Sequence, residues 1–164
     1  MSSTSRTIFL DRDGVINKHR ENDYVKSWEE FEFLPGAIDA IKLFKKAGYK
    51  IYIITNQRGV ARGLMSEQDL LKIHENMKSE IKSQGGLIDG IYYCIHNYED
   101  NCECRKPKPG MLLQAAHDHS FDITEAVFIG DSESDIQAGT TAGCKTILAG
   151  SNNSLLDIAH LLTE

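Results

Sequence analysis

Five short apolar runs recur along the chain, each separated from the next by a stretch with helical spacing: "TIFLD" (7–11), "KIYIITN" (50–56), "LIDGIYYC" (87–94), "EAVFIGD" (125–131) and "CKTILAG" (144–150). Continuous apolar runs of this length, rich in β-branched residues, suit parallel strands covered on both faces. Parallel neighbours need long crossovers, and helices are the usual ones. "GAIDAIKLFKKAG" carries Ala37, Ile38, Ile41 and Phe44 on one side, with Gly48 as a stop. "SEQDLLKIHENMKSEIKSQGG" begins at the N-cap residue Ser66 and carries Leu70, Ile73, Met77 and Ile81 at helical spacing. Pro109 opens a third helix, "SESDIQAGTTAG" gives a fourth and "SLLDIAHLL" a fifth. Uninterrupted βα alternation predicts a doubly wound, Rossmann-like α/β fold, a parallel sheet flanked by helices.

A length of 164 residues fits one domain over 1–164 with its own core. The opening "MSSTSRT" reads as a frayed tail over 1–6, with no secretory signal. No apolar run approaches the roughly 20 residues that span a bilayer, so no membrane partner is expected. A formal net charge of −6 argues against broad nucleic-acid binding, which needs a basic face. A small anionic substrate stays open, because local arginines and lysines decide that.

Open parallel sheets bind ligands at the carboxyl ends of their strands, so the polar residues there carry the information. The first run ends in Asp11-Arg12-Asp13-Gly14, two carboxylates that converge if the chain turns at the glycine. Close carboxylates repel unless a cation lies between them, and hard oxygens suit Mg²⁺. The second run ends in Thr55-Asn56-Gln57, a hydroxyl and two amides fit to hold phosphate oxygens. The fourth ends in Gly130-Asp131, with Asp135 four residues on, and Arg105-Lys106 follows the third. The plain alternatives are a polar turn at Asp11–Gly14, N-caps at Thr55 or Ser132, and a solvated basic patch from Arg105 to Lys108. Three of the four cysteines fall within "CIHNYEDNCECRKPKPG" as Cys94-x-His96 and Cys102-x-Cys104, and Cys144 reads as a buried core thiol. Two disulfides are possible on count, but clustered Cys and His in a cytosolic chain more often bind metal.

The motifs "FLDRDG", "IITN", "RKPKPG" and "IGDSESD" stand in the order found in the haloacid dehalogenase (HAD) superfamily, which the chain resembles over nearly its whole length. Within it, "FEFLPGAIDAI", "TNQRGVARG", "DGIYYCIH" and "CECRKPKPGML" resemble the bacterial D-glycero-D-manno-heptose 1,7-bisphosphate phosphatases. The related histidinol-phosphate phosphatases are the competing subgroup. The resemblance implies a cytoplasmic, monomeric phosphatase with no large cap domain, acting on the 7-phosphate of a small sugar bisphosphate in lipopolysaccharide-precursor synthesis.

The resemblance also implies roles for individual residues. Asp11 would be the nucleophile and Asp13 the general acid and base. Mg²⁺ would sit on Asp11, the Asp13 carbonyl and Asp131, with Asp135 orienting that shell. Thr55 and Lys106 would bind the transferring phosphoryl group. Arg105 would recognise the substrate, and Glu21, Asn22, Asp23, Tyr24, Asn56, Gln57 and Arg58 would line its site. Cys94, His96, Cys102 and Cys104 would close a structural Zn²⁺ site that pins the segment carrying Arg105 and Lys106. The chain departs from the heptose pattern at Ser132, where those enzymes usually show lysine. Readings of another class are a phospho-accepting signalling domain and a zinc-dependent interaction module; the second aspartate at Asp13 favours turnover over the first, and the full set Asp11, Asp13, Thr55, Lys106 and Asp131 argues against the second.

Overall fold

The computed structural model describes residues 6–164. Residues 1–5 of the expected tail lie outside the described residues. The tail prediction fails at Arg6, whose carbonyl accepts from the Lys50 backbone N–H (2.8 Å) while its guanidinium donates to the Ala47 carbonyl (3.1 Å). Arg6 is therefore anchored beside the sheet, immediately before its first strand.

The strands are β1 (Thr7–Leu10), β2 (Lys50–Asn56), β3 (Gly90–Cys94), β4 (Val127–Gly130) and β5 (Lys145–Leu148). They form one parallel sheet in the order β3-β2-β1-β4-β5. The helices α1 (Ala37–Lys46), α2 (Glu67–Ser83), α3 (Gly110–His119), α4 (Glu133–Ala142) and α5 (Leu155–Leu162) follow the strands in turn. Strand side chains alternate between faces, so the sheet buries two layers. On one face Ile8, Leu10, Ile51, Ile53 and Ile129 pack with Ile41, Phe44 and Ile158 of α1 and α5. On the other, Phe9, Tyr52, Ile54 and Phe128 pack with Leu112, Ala115 and Ala138 of α3 and α4. Cys144 joins this second layer, buried as expected.

Four of the five strands are shorter than the runs that announce them, and at two ends the cause is visible. The third run was expected to pair from Leu87, but its ladder begins at Gly90. Asp89 takes the preceding position itself: its N–H donates to the Ile51 carbonyl and its carboxylate accepts from the Ile51 N–H, both at 2.8 Å. The first strand stops at Leu10 because the chain turns at once. The Arg12 carbonyl accepts from the N–H groups of Val15, Ile16 and Asn17.

The chain leaves β1 toward β2 on one side, while β4 docks on the other. The crevice between the ends of β1 and β4 is thus the switch point where such sheets bind ligands. Asp11 follows β1 there and Asp131 follows β4. Among the described residues no large cap covers it; residues 11–36 hold only a loop with a short 3₁₀ turn at Trp28–Glu30.

Candidate active site

Asp11 is buried at the crevice. Its Oδ1 accepts from the Arg12 backbone N–H and from Lys106 Nζ, both at 2.9 Å. Lys106 arrives from the segment after β3, 95 positions along the chain. Its ammonium also donates to Asp135 Oδ1 (2.6 Å) and to the Ile54 carbonyl (3.1 Å), so all three protons have acceptors. Burial alone would lower the Lys106 pKa, but Asp11 and Asp135 hold it above its usual range.

Asp135 is equally engaged at its other oxygen, which accepts from the N–H groups of Asp131 (3.1 Å) and Ser132 (3.2 Å) and the Ser132 hydroxyl (3.0 Å). That contact ties down the backbone of Asp131 and Ser132. Carboxylate oxygens of Asp11, Asp131 and Asp135 lie within 4.8 Å of one another. Burial drives the pKa of Asp11 well above the ordinary carboxylate range, with Lys106 opposing and Asp135 adding to the rise. Burial also raises Asp131. Lys106 supplies one positive charge to Asp11 and Asp135 together, and among the described residues Asp131 forms no ion pair, so the cluster carries excess negative charge. A hard divalent cation fits this donor set.

Gly14 makes that geometry possible. Its φ is +89°, and a Cβ built on it would fall 1.9 Å from Asp131 Oδ2. Gly14→Ala should therefore displace Asp131 as well as strain the turn, raising the Mg²⁺ concentration for half-maximal activity by ~10-fold or more while costing ~1–3 kcal/mol of stability. Magnesium titration of activity with parallel urea unfolding checks both; an unchanged magnesium requirement contradicts the assignment.

Asp13 is held by three donors. Its Oδ1 accepts from Arg12 Nη2 (2.8 Å) and Asn17 Nδ2 (2.9 Å), and its Oδ2 from Gln57 Nε2 (2.8 Å). Burial works against the anion, yet the Arg12 charge and these hydrogen bonds hold Asp13 below its usual pKa. Arg12 is fully buried, and its Nη1 lies 3.0 Å from Nε2 of His74 on α2. Burial, then the adjacent Arg12 charge, pushes the His74 pKa down to about 3, so the ring is neutral.

A cleft of about 220 Å³ opens above this cluster, and Asp11, Asp13, Asp23, Tyr24, Asn56, Lys106 and Asp131 line it. Other expected residues stand elsewhere. Thr55 and Gln57 are buried beneath the floor, where the Thr55 hydroxyl accepts from Gln57 Nε2 (2.9 Å) and Gln57 supports Asp13. Asn56 braces the backbone of Lys106, accepting from its N–H (3.0 Å) and donating to its carbonyl (3.2 Å). Glu21 and Asn22 do not line the cleft. Asn22 instead takes a positive φ of 57° in the loop. Asp23 faces the cleft but is tied to Lys26 Nζ at 2.8 and 2.9 Å.

Arg58 and Arg105 each stack on Tyr98 beside the cleft rather than lining it. Their guanidinium carbons stand 4.1 and 4.3 Å from the centre of the Tyr98 ring. An adjoining cleft of about 450 Å³ there is lined by Arg105, Asn97, Tyr98 and Lys108, and shares Asn56, Lys106 and Ser134 with neighbouring surfaces. Sequence reading missed His19, Arg20, Ser132 and Ser134 as lining residues, and missed the buried Arg12–His74 pair. The one available signal was Arg12 itself, a cation between two aspartates at a buried strand end.

The cysteine cluster also assembles. Cys94 Sγ lies 3.5 Å from both His96 Nδ1 and Cys102 Sγ, and His96 Nδ1 lies 3.1 Å from Cys104 Sγ. Ligands about 2.0–2.3 Å from a tetrahedral centre stand roughly 3.5–3.8 Å apart; two of these separations match and the third is shorter, and all four donors lie within 4.8 Å of one another, a set that suits one zinc ion. None of the four thiols of the chain is in a disulfide. Burial raises the Cys94 pKa; at Cys102 burial is outweighed by the Arg105 N–H and neighbouring thiols, which bring it down to about 6. Gly110, at the start of α3, packs directly on this loop: a Cβ there would meet the Glu103 carbonyl oxygen at 2.1 Å.

Comparison with known proteins agrees with this geometry. The HAD-hydrolase-like family pattern matches residues 103–159. A D-glycero-beta-D-manno-heptose-1,7-bisphosphate 7-phosphatase of Helicobacter pylori is 44% identical over 94% of this chain and 88% of its own length. A Burkholderia mallei relative named for the alpha anomer is 43% identical over 88% of this chain and 79% of its own. The crystal structure of D,D-heptose 1.7-bisphosphate phosphatase from B. bronchiseptica, complexed with magnesium and phosphate, superposes with a TM-score of 0.89 at 35% identity, covering 96% of this chain and 97% of that one. With an acidic cluster at the β1/β4 switch point and relatives this close over this length, the chain belongs to the HAD hydrolase superfamily, in the branch that holds the heptose bisphosphate phosphatases.

Proposed function

We propose that this protein is a magnesium-dependent phosphatase that removes the 7-phosphate of a D-glycero-D-manno-heptose 1,7-bisphosphate through an aspartyl-phosphate on Asp11. The observation that carries the chemistry is Asp11 itself. Its Oδ1 accepts from the Arg12 N–H and Lys106 Nζ, and in this reading Oδ2 is the attacking atom. Oδ2 bonds to phosphorus as the ester P–O bond breaks, and Asp13 delivers a proton to the departing sugar oxygen. The incoming phosphate's negative charge raises the proton affinity of Asp13, which Arg12 otherwise holds anionic. Asp13 then takes a proton from water as that water attacks phosphorus, releasing phosphate and restoring Asp11. Lys106, fixed by Asp11, Asp135 and Ile54, faces the charge on the transferring group. Asp11, Asp131 and the Asp13 carbonyl would hold Mg²⁺, which supplies charge neutralisation for the phosphoryl oxygens when bound. Thr55 acts beneath the floor in this reading, through Gln57 and Asp13.

A bisphosphate needs a second cationic anchor about one sugar away. Arg105 Nη1 is buried without a hydrogen-bond partner at the edge of the adjoining cleft, where a guanidinium suits a second phosphate dianion. Histidinol phosphate would need free carboxylates for its amine, but Asp23 is paired with Lys26 and Glu21 is out of the cleft. Relatives named for both anomers are similarly close, so either anomer fits the resemblance. Four free thiols suit a reducing compartment, which supports a cytoplasmic location; a monomer is the simplest state for a site built wholly within one chain.

Arg105→Ala tests the substrate. KM for the heptose bisphosphate should rise ~30-fold, about 2 kcal/mol for a charged hydrogen-bond anchor, while a generic monophosphate ester changes less than ~3-fold. Equal losses on both, or a higher kcat/KM on histidinol phosphate than on either heptose anomer, contradict the assignment.

A further inference from the structure

Arg12 and His74 are joined to the acid–base carboxylate by a chain of contacts that no role in substrate binding accounts for. Arg12 is fully buried between Asp13 and His74. Its Nη2 donates to Asp13 Oδ1 at 2.8 Å, its Nη1 lies 3.0 Å from His74 Nε2, and the Phe31 ring lies 5.8 Å from its guanidinium carbon. A guanidinium has only donors, so Nη1 donates and Nε2 carries the lone pair; the His74 proton is then on Nδ1. His74 is itself 4% exposed and is supplied by α2, which is otherwise remote from the crevice.

We propose that His74 is a positioning residue for phosphoryl-transfer chemistry: as a neutral acceptor it locks Arg12 so that the guanidinium aims the Asp13 carboxylate at the leaving-group oxygen.

The neutrality of the acceptor is what the arrangement requires. A carboxylate at this position would compete with Asp13 for the Arg12 charge and draw the guanidinium toward α2. An apolar residue would leave Nη1 unpaired in addition to Nε, which is already buried without a partner, and a second orphaned nitrogen favours reorientation of Arg12. A neutral imidazole satisfies one N–H and leaves the full charge facing Asp13. Asn17 and Gln57 then fix the remaining rotation of the carboxylate, by 2.9 and 2.8 Å hydrogen bonds. Small misplacements of an acid are costly because proton transfer depends steeply on distance and angle.

This inference rests on the reading of Asp13 as the acid, and the experiment separates the two. Hydrolysis of an alkyl phosphate monoester, whose leaving group must be protonated, is compared with that of p-nitrophenyl phosphate, whose leaving group needs little help. His74→Leu should lower kcat on the alkyl ester ~30-fold and on the aryl ester only ~3-fold, with KM for each within ~2-fold. His74→Gln, which retains a neutral acceptor, should stay within ~3-fold of the parent on both. His74→Glu should reproduce the selective alkyl loss, and with His74→Gln it decides the matter if the leucine variant does not fold. Losses equal on the two esters, or a glutamine variant as impaired as the glutamate one, overturn the positioning role. Asp13→Asn is the control for the underlying reading: if it spares the alkyl ester, Asp13 is not the acid. If it selectively abolishes alkyl hydrolysis while His74→Leu and His74→Glu do not, the acid reading stands and the role of His74 falls.

Discussion

Asp11→Asn should fold normally and lose at least ~10³-fold in kcat on every phosphate ester, since an amide cannot replace the attacking carboxylate. The side chain keeps its shape, and its carbonyl oxygen can still accept from Lys106 and the Arg12 N–H, as Asp11 Oδ1 does at 2.9 Å. What disappears is a buried anion near Asp135, in a setting where burial already drives the Asp11 pKa well up. Removing a strained charge should leave the melting temperature unchanged or raised. Turnover measured with saturating Mg²⁺, beside thermal unfolding of the same preparation, checks both halves. Residual activity near the parent level would eliminate Asp11 as the nucleophile.

Zinc removal has the next largest expected effect. Purified protein should carry about one zinc per chain, and stripping it should free the segment from Cys94 to Cys104. Closing a loop of this size is worth ~3 kcal/mol in chain entropy, so the melting temperature should fall by about 6–12 °C. Activity should fall with it, because Lys106 lies two residues beyond Cys104 and its backbone is paired with Asn56. Once the loop is loose, the ammonium loses its fixed place between Asp11 and Asp135. Cys102→Ser should reproduce the effect in part. Metal analysis, calorimetry and kcat on the same sample provide the test, and a zinc-free protein of full stability and activity would remove the cluster's structural role.

The two predictions draw on different kinds of information. The strands, their parallel arrangement and the polar residues at their ends were legible in the chain because periodicity and residue chemistry are local properties. Asp11, Asp131 and nearby Asp135 could be placed at one crevice by the strand-end rule, and the spacing of Cys94, His96, Cys102 and Cys104 pointed to a metal by clustering. The resemblance added roles to these positions, and added Glu21, Asn22, Asp23, Tyr24 and Arg58, which the rule had not singled out. Boundaries were less legible: Asp89 pairs with Ile51 through its own carboxylate and displaces the start of β3, a substitution of side chain for backbone that no periodicity encodes.

Contacts between distant segments were decided only by the packed structure. Lys106 finds Asp11 across 95 positions, and Arg12 finds His74 across 62. Thr55 and Gln57 were expected to hold the substrate, yet both are buried, and Gln57 joins Asp13 to the Thr55 hydroxyl. Arg58 and Arg105 were expected to recognise the substrate, and both stack on Tyr98 beside the cleft. Residue type and spacing determine which groups a chain can offer at a strand end. Which of them face solvent, and which brace another side chain, follows from sheet order and helix docking, where burial forces each polar group to find a partner.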